Sequence, residues 1–252
     1  MGARSTGLAY ASGTLADEWS LLNNIGGLAK VKKLSGAFAY EVSPALPGAN
    51  RMAAVLNAPF KSGTAGLGLF RFGDPVYNEQ VISAGFSNQL GIASLGIKLN
   101  YIQYHAEGFG TKSAWSFNFG GIAQLTPTIS VGAYITNINQ PKIAAQDNER
   151  IPTALTAAVS FKPTDPVLLL AEVRKDLEYD PTIKGALEYT IHKKVFFRTG
   201  FNLQPNAGFF GLGFLTRRLK TDYGMQYNNA LGLIHQASAI CLIEKRKKSN
   251  EQ

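Results

Sequence analysis

The side chains that most often carry catalysis or bind metals are few and scattered in this sequence. His105, His192 and His235 stand apart from one another and from Cys241, the single cysteine, at none of the spacings that metal sites use. No Gly-x-Ser-x-Gly turn is present to expose a nucleophilic serine. We therefore expect neither an enzyme nor a bound cofactor.

Two glycine pairs invite comparison with phosphate-binding loops. They are Gly66-Leu67-Gly68 and Gly211-Leu212-Gly213, and neither is followed by the helix that such a loop requires. Inside a strand, glycines mark a bend or a place where a large group approaches the wall closely. We interpret both pairs in this second way.

Short alternating segments fill almost the whole chain and must position any functional residue. Between Val167 and Arg174 one face is wholly apolar, whereas the other ends in Glu172 and Arg174. The same alternation recurs in Ile183–Ile191 and Val195–Asn202. A soluble β-sandwich also alternates, but here about fourteen such segments fit and no long helix is left to cover their apolar faces. We therefore predict an all-β fold, a transmembrane antiparallel β-barrel of about 14 strands.

The predicted strands are separated by Gly, Pro, Asn or Asp, and each is long enough to cross much of a bilayer. They are Ser35–Ser43, Arg51–Phe60, Thr64–Phe72, Gln80–Asn88, Ala93–Gln103, Lys112–Gln124, Thr128–Ile138, Pro152–Lys162, Val167–Lys175, Thr182–Ile191, Val195–Asn202, Ala207–Thr216, Thr221–Tyr227 and Ile234–Glu244.

The first 33 residues have a different pattern. Leu15, Trp19 and Leu22 share one face at helical spacing, and Asn24 and Gly27 belong to the run that ends such a helix. We predict a short helical plug or lid packed in or under the barrel mouth. The chain then divides into a plug at 1–33, a barrel at 34–244 and a basic periplasmic tail at 245–252.

Charged residues on the face opposite the apolar one are expected to point into the lumen. Both signs occur, so we interpret them as pairing across the interior; an ion-selective constriction, the alternative, usually carries one sign. The predicted lumen charges are Glu41, Lys98, Glu172, Arg174, Lys184, Glu188, Arg198 and Asp222.

The formal net charge of +8 first suggests nucleic acid or an anionic membrane as partner. A nucleic-acid interface needs basic residues on one face with stacking aromatics, whereas the aromatics here lie on the apolar faces, so we expect no nucleic-acid binding. An even strand number puts both termini on one side, normally the periplasm. The basic residues that this topology collects on a periplasmic rim are Lys61, Lys162, Lys193, Lys194, Arg217, Arg218, Lys220 and Lys245.

Both ends of the chain resemble one family of outer-membrane proteins. The opening GARSTGLAYASGTLADEWSLLNNIGGLA is similar to the start of the PorV/PorQ family, which reads Gly-Ala-Arg, a Gly/Ala-rich run, Leu-Ala-Asp-Asp and Asn-Pro-Ala-Gly-Leu. The stretch TDYGMQYNNALGLIHQASA is similar to the family's closing Leu-Asp-Tyr-Ala…Leu-Gly-x-x-His-Arg. Ile25 replaces the family's proline, and Gln236 replaces its arginine.

The resemblance implies a FadL-like barrel in a Bacteroidota-type outer membrane and a link to type IX protein secretion. We expect outer-membrane localisation, with a signal peptide removed before residue 1. Since the outer loops are short, our first hypothesis is a non-catalytic accessory subunit of the type IX translocon or of the outer-membrane barrel-assembly complex. Its expected partners are outer-membrane lipid and a larger barrel. The alternatives are a FadL-type conduit for a hydrophobic solute, gated by the plug, and a soluble β-sandwich binding module.

Overall fold

The computed structural model describes residues 1–143, 150–177, 179–229 and 231–243. Within these residues, fourteen strands pair antiparallel with their sequence neighbours, and the first strand closes the barrel against the last. The prediction of an all-β barrel is therefore confirmed. The strands are β1 (Ser35–Val42), β2 (Arg51–Phe60), β3 (Gly63–Gly73), β4 (Tyr77–Leu90), β5 (Ala93–Ala106), β6 (Gly110–Gln124), β7 (Ile129–Thr136), β8 (Ala154–Thr164), β9 (Val167–Asp176), β10 (Thr182–Ile191), β11 (Val195–Leu203), β12 (Ala207–Leu215), β13 (Leu219–Asn228) and β14 (Gly232–Leu242).

The outer wall of the barrel carries a belt of large apolar side chains. In the β5–β6 pair, Ile97 and Phe119 face each other outside and are 55% and 46% exposed, whereas the neighbouring Lys98 and Asn118 are buried inside. Such a belt would be unfavourable in water and favourable in lipid. Closure leaves no unpaired strand edge, which hydrocarbon would not tolerate. The fold excludes the β-sandwich alternative.

The two ends of the barrel differ. We call the end that holds Leu34, Ile243 and the tight turns the turn side, and the opposite end the loop side. The longest connection, residues 137–153, lies on the loop side and includes 144–149, which are outside the described residues. Above the short β7, the side chain of Asn139 replaces ladder bonds: Phe117 N donates to its Oδ1 at 3.0 Å, and its Nδ2 donates to Trp115 O at 2.9 Å.

Residues 1–33 lie inside the barrel, and we call them the N-terminal segment. It contains one short α-helix, Ala3–Gly7, packed on β11–β14, and two 3-10 helices, Glu18–Leu21 and Ile25–Lys30, the second packed on β3–β6. Asp17 caps the first 3-10 helix by accepting a hydrogen bond from Trp19 N at 3.0 Å. Of the described helices, none is long and apolar enough to cross a membrane.

The local structure of the N-terminal segment differs from the predicted single helix. Leu15 packs with Leu8 and Leu170, whereas Trp19 is 1% exposed in a separate cluster against the β1–β2 wall. Leu22 is half-buried beside this second cluster. The three side chains therefore diverge from a compact coil instead of forming one face, because the curved wall offers apolar surface in several directions.

Glycines let the N-terminal segment touch the wall backbone to backbone. A Cβ on Gly7 would lie 2.8 Å from the Cα of Gly211, and a Cβ on Gly26 would lie 2.6 Å from the Cα of Gly121. Any side chain at these positions would force the segment off the wall. The sequence predicts that a large group approaches the wall closely at Gly211-Leu212-Gly213. The structure has such an approach there, by the backbone at Gly7.

We expect Ile97→Arg to lower the free energy of unfolding by about 2–4 kcal/mol, the range for arginine near the bilayer midplane. The matched control is Phe109→Arg, in the loop between β5 and β6 where the side chain is 87% exposed, with an expected cost of about 0–1 kcal/mol. Urea titration of the protein folded into phospholipid vesicles measures both. Equal costs would contradict the assignment of the belt to lipid.

Candidate functional site

A chain of buried charges fixes the N-terminal segment to the wall on the β10–β13 side. Glu188 accepts hydrogen bonds from Arg4 Nε at 2.9 Å and Arg4 Nη2 at 2.7 Å, and from Arg198 Nε at 2.6 Å. Arg4 Nη1 also donates to Asp17 at 3.0 Å, and Arg198 Nη1 donates to Asp222 at 2.7 Å. The signs alternate along these five groups, so each arginine lies between two carboxylates.

A second anchor lies one strand further along the sheet. Lys184 Nζ donates to Glu172 Oε1 at 2.7 Å and to the backbone oxygen of Tyr10 at 3.3 Å. The other oxygen, Glu172 Oε2, accepts from Gly13 N at 2.8 Å. A buried backbone amide of the N-terminal segment is thereby satisfied by a wall carboxylate that a wall lysine neutralises.

The charges of the wall also act on titratable groups of the N-terminal segment. Burial alone would lower the pKa of the Arg4 guanidinium, but the carboxylates of Glu188, Asp17 and Asp222 together outweigh it and the pKa is raised. Burial raises the pKa of the Tyr10 phenol, and the nearby Glu41 carboxylate raises it further. Arg4 is therefore a permanent cation and Tyr10 a neutral phenol at physiological pH.

The structure gives each predicted lumen charge a definite position. Among them it brings together Lys184 with Glu172, and Arg198 with Glu188 and Asp222; Glu41 pairs instead with Arg51, at 2.9 Å. Besides Glu41, two of the predicted lumen charges do not pair with another predicted lumen charge. Arg174 is exposed at the loop side, and Lys98 is 6% exposed with no ion pair to any described residue.

Only some of the residues predicted to form the basic rim lie exposed at one end of the barrel. Six of them are exposed in or beside turns on one end of the barrel, and that this end faces the periplasm stays a prediction. Lys220 differs, because it lies in β13 on the same face as Asp222 and points inward, 4.0 Å from that carboxylate and 5.5 Å from the centre of the Phe196 ring. Lys245 and the predicted tail at 245–252 lie outside the described residues. The six exposed members are Lys61, Lys162, Lys193, Lys194, Arg217 and Arg218.

Asn24 and Gly27, predicted as helix-ending residues, lie at the centre of the N-terminal segment. Asn24 caps the second 3-10 helix through Gly26 N at 3.1 Å, and its Nδ2 donates to Gly13 O at 2.6 Å and to the wall at Gly121 O at 3.0 Å. A Cβ on Gly27 would lie 2.5 Å from the backbone oxygen of Leu15. Both residues therefore hold the coil compact.

Two cavities lined by described residues lie above the N-terminal segment on the loop side. The first, of about 290 Å³, extends from Lys98 at mid-barrel up to Ile151 and Arg174, and we call it the loop-side cavity. The second, of about 340 Å³, is more polar and lies between Tyr10 and Lys184, with Arg174 again on its wall. No cluster of three or more His, Cys, Asp or Glu side chains able to hold a metal is found in the part of the chain that the structure describes.

Comparison with known proteins shows the fold and not a family. No family model matches the sequence, and no curated protein matches it. Among solved structures, the chain is similar to the CymD monoaromatic hydrocarbon channel (12% identity, 98% of both chains, TM-score 0.76) and to the Pseudomonas putida toluene transporter TodX (11% identity, 95% of this chain and 96% of that chain, TM-score 0.70). It is also similar to the Acinetobacter baumannii outer membrane protein Omp33 (9% identity, 84% of this chain and 98% of that chain, TM-score 0.55).

This likeness and the apolar belt confirm the prediction of an outer-membrane β-barrel. They also correct the first functional hypothesis. An accessory subunit of a type IX or barrel-assembly complex is wrong, because the structures that match over nearly the full length are hydrocarbon channels. The chain's similarity to PorV/PorQ is not supported by any family model. A larger partner barrel was part of that hypothesis, and no contact in the structure bears on it.

The residues that sequence reasoning missed are those on the N-terminal segment's side of each contact. Arg4, Tyr10 and Gly13 meet lumen charges that lie more than 150 residues away in three cases, such as Arg4 with Glu188 at a separation of 184. One signal could have found Arg4. Arg4 is the first charged residue of a segment predicted to fill the lumen, where a buried charge needs a partner of opposite sign.

We expect Arg4→Met to lower the free energy of unfolding by about 3–5 kcal/mol, because it leaves Asp17 and part of Glu188 buried without their cation. Lys33→Met is the control: Lys33 belongs to the same segment but is exposed, and its change should stay within about 0.5 kcal/mol. Urea unfolding in vesicles measures both variants. A small effect of Arg4→Met would mean that apolar packing alone holds the segment.

Proposed function

We propose that the protein is a FadL-like passive conduit that carries a small hydrophobic solute across the outer membrane, with residues 1–33 acting as its gate. The conduit is the lumen of the barrel. Among the described residues, the loop-side cavity reaches down to Lys98, and the N-terminal segment fills the lumen below it. The PorV/PorQ-like ends of the chain agree with a barrel of FadL-like descent and add no secretion role.

The loop-side cavity is the observation that carries the proposal. Phe70, Val81 and Ile102 line its upper wall, and Leu22 of the N-terminal segment lies at its floor. A cavity of about 290 Å³, lined about equally by apolar and by polar side chains, has the size of one small ligand. Because its floor is the gate itself, movement of the N-terminal segment would connect the cavity with the turn side.

The fold likeness supports the class of solute. CymD is a monoaromatic hydrocarbon channel and TodX is a toluene transporter, and both are similar to nearly all of this chain. The identities of 12% and 11% carry the fold alone, so the solute class is part of our proposal. The Phe70 and Tyr104 rings on the cavity wall are compatible with a small aromatic body.

The anchoring of the N-terminal segment supports a gate that moves in part. Its ionic contacts all lie on β9–β13 and at Glu41. Its second 3-10 helix meets β3–β6 through apolar and neutral contacts, among them a hydrogen bond that Ser87 Oγ donates to Gly26 O at 3.1 Å. Separating apolar surfaces in a lumen that already holds cavities costs less than separating buried ion pairs. We therefore assign the moving part to residues 25–30 and the fixed part to the helix at Ala3–Gly7.

We expect the protein to raise the uptake of radiolabelled toluene by Gram-negative cells that lack a channel for such solutes. An intact outer membrane is needed, because plain phospholipid bilayers let hydrocarbons pass without a protein. Gly26→Val in the same host is the comparison variant. Its side chain meets the backbone of Gly121 and forces the moving part off the wall, so toluene uptake should differ from that of the wild type although the barrel still inserts. Uptake equal to that of cells without the protein would contradict the conduit.

A disulfide that ties the fixed part of the N-terminal segment to the wall should leave the conduit working. A Cβ on Gly200 would lie 3.0 Å from the Cβ of Ala9, which a small relaxation brings to the roughly 3.5–4.5 Å of a disulfide. In a Cys241→Ala background, Ala9→Cys with Gly200→Cys should keep its toluene uptake on oxidation, because Ala9 follows the helix at Ala3–Gly7 that does not move. Each single cysteine variant serves as the control. Loss of uptake on oxidation and its return on reduction would contradict the division into a fixed and a moving part.

A further inference from the structure

Lys98 is a buried cation without a counter-ion. It is 6% exposed, lines the loop-side cavity at mid-barrel, and no described residue forms an ion pair or hydrogen bond with its ammonium group. Every other buried lysine or arginine of the described wall, Lys184 and Arg198, has a carboxylate within 2.7 Å. An ammonium group without a counter-ion at this depth is unfavourable, and since Lys98 lines the cavity, a molecule held there could supply the partner.

Two asparagines lie beside Lys98 on the inner face of the wall, and both line the same cavity. Asn118 is directly opposite Lys98 in the β5–β6 register, and Asn100 is the next inward residue of β5. The orientation of Asn118 is fixed, because its Oδ1 accepts from the backbone N–H of Asn137 at 2.9 Å and a backbone N–H can only donate. Its Nδ2 thus faces away from that contact with no acceptor among the described residues.

Asn100 repeats this arrangement on the neighbouring position. Its Oδ1 accepts from Ser83 Oγ at 2.8 Å, and its Nδ2 has no acceptor in the described part of the chain. Asn100 and Asn118 are 4% and 8% exposed, and both line the loop-side cavity with Lys98. Three buried groups therefore offer N–H donors to one cavity, whose only acidic lining residue, among those described, is the half-buried Glu79, and it makes no ion pair with Lys98.

The other lining residues of the loop-side cavity indicate what kind of molecule could bring an acceptor to these three donors. Its walls above Lys98 include Phe70, Val81, Ile102 and Ile151, so a bound molecule has an anionic end and an apolar body. A volume of about 290 Å³ suits a molecule of the size of benzoate and is too small for a long-chain fatty acid. Hydrogen bonds from a cation and amides to a carboxylate are stronger than those between neutral groups.

We propose that the loop-side cavity binds a small aromatic monocarboxylate, with its carboxylate on Lys98, Asn100 and Asn118 and its ring against Phe70 and Ile102. The proposal rests on the proposed conduit and names a solute class for it that differs from a neutral hydrocarbon. The carboxylate removes the unfavourable isolated charge at Lys98. Arg174, exposed at the outer part of the same cavity, draws an anion toward it.

Equilibrium binding of benzoate and benzamide tests the proposal, because the two probes share ring and size and differ in charge. Measured by equilibrium dialysis in a neutral detergent, the wild-type protein should bind benzoate about tenfold or more tightly than benzamide. Lys98→Met should reduce benzoate binding to the benzamide level. Since it removes an isolated buried charge, this variant keeps the fold. Lys61→Met, in an exposed turn, should bind both probes as the wild type does.

Asn118→Asp provides a second variant of nearly unchanged size. It supplies Lys98 with a carboxylate of the protein, so it should abolish the preference for benzoate and leave benzamide binding unchanged. The proposal is overturned if Lys98→Met binds benzoate like the wild type, or if chloride and inorganic phosphate displace benzoate at its own concentration, which would indicate a site for simple anions only.

The two proposals fail in different ways. If benzoate binds through Lys98 but neither benzoate nor toluene enters cells any faster with the protein, the conduit is wrong and the binding site stands. If toluene uptake rises and the binding of benzoate does not depend on Lys98, the conduit stands and the carboxylate site is wrong.

Discussion

The need to satisfy every backbone polar group in hydrocarbon governs the rest of this structure. Strands satisfy it only when the sheet closes, and closure at fourteen strands encloses a lumen wider than the eight-stranded kind that side chains fill alone. The interior must then hold water, ligand or more protein. Here residues 1–33 occupy the lumen. The N-terminal segment thus fills a space that a barrel of fourteen strands necessarily encloses.

A polypeptide coil inside a barrel brings its own backbone and charges into a poorly solvated space. Its amides and cations need partners from the wall, which explains why Glu172, Glu188 and Asp222 face inward although lipid lies one residue away on each strand. Buried ion pairs of this kind add little stability compared with apolar packing, but a wrong register would leave charges unpaired. They therefore determine where the segment sits more than how firmly the barrel holds together.

The sequence reveals the strands well and the lumen poorly, for physical reasons. Val167–Lys175 and Thr182–Ile191 were predictable within a residue because alternation is local, whereas β5 extends beyond the predicted Gln103 to Ala106 on polar residues above the belt. The pleat alone would have turned Lys220 inward with Asp222; proximity to a turn suggested the rim instead. Leu15, Trp19 and Leu22 have helical spacing, yet a curved wall and not a helix decides their directions. The accessory role was inferred from the short outer loops and the terminal motifs, and such features do not carry function across a shared fold.

The two halves of the lumen differ in their buried charges and in their contacts with the N-terminal segment. From β9 to β13 the inward charges occur in pairs and triplets that hold the N-terminal segment, and glycines let its backbone touch the wall. From β3 to β8 the described wall buries one charge, Lys98, among serines, asparagines and apolar groups, and here the cavity reaches mid-barrel. An N-terminal segment with ion pairs to every part of the wall would be held equally on all sides. Here the ion pairs to the wall lie between β9 and β13, and the isolated cation on the opposite side indicates where a solute would pass.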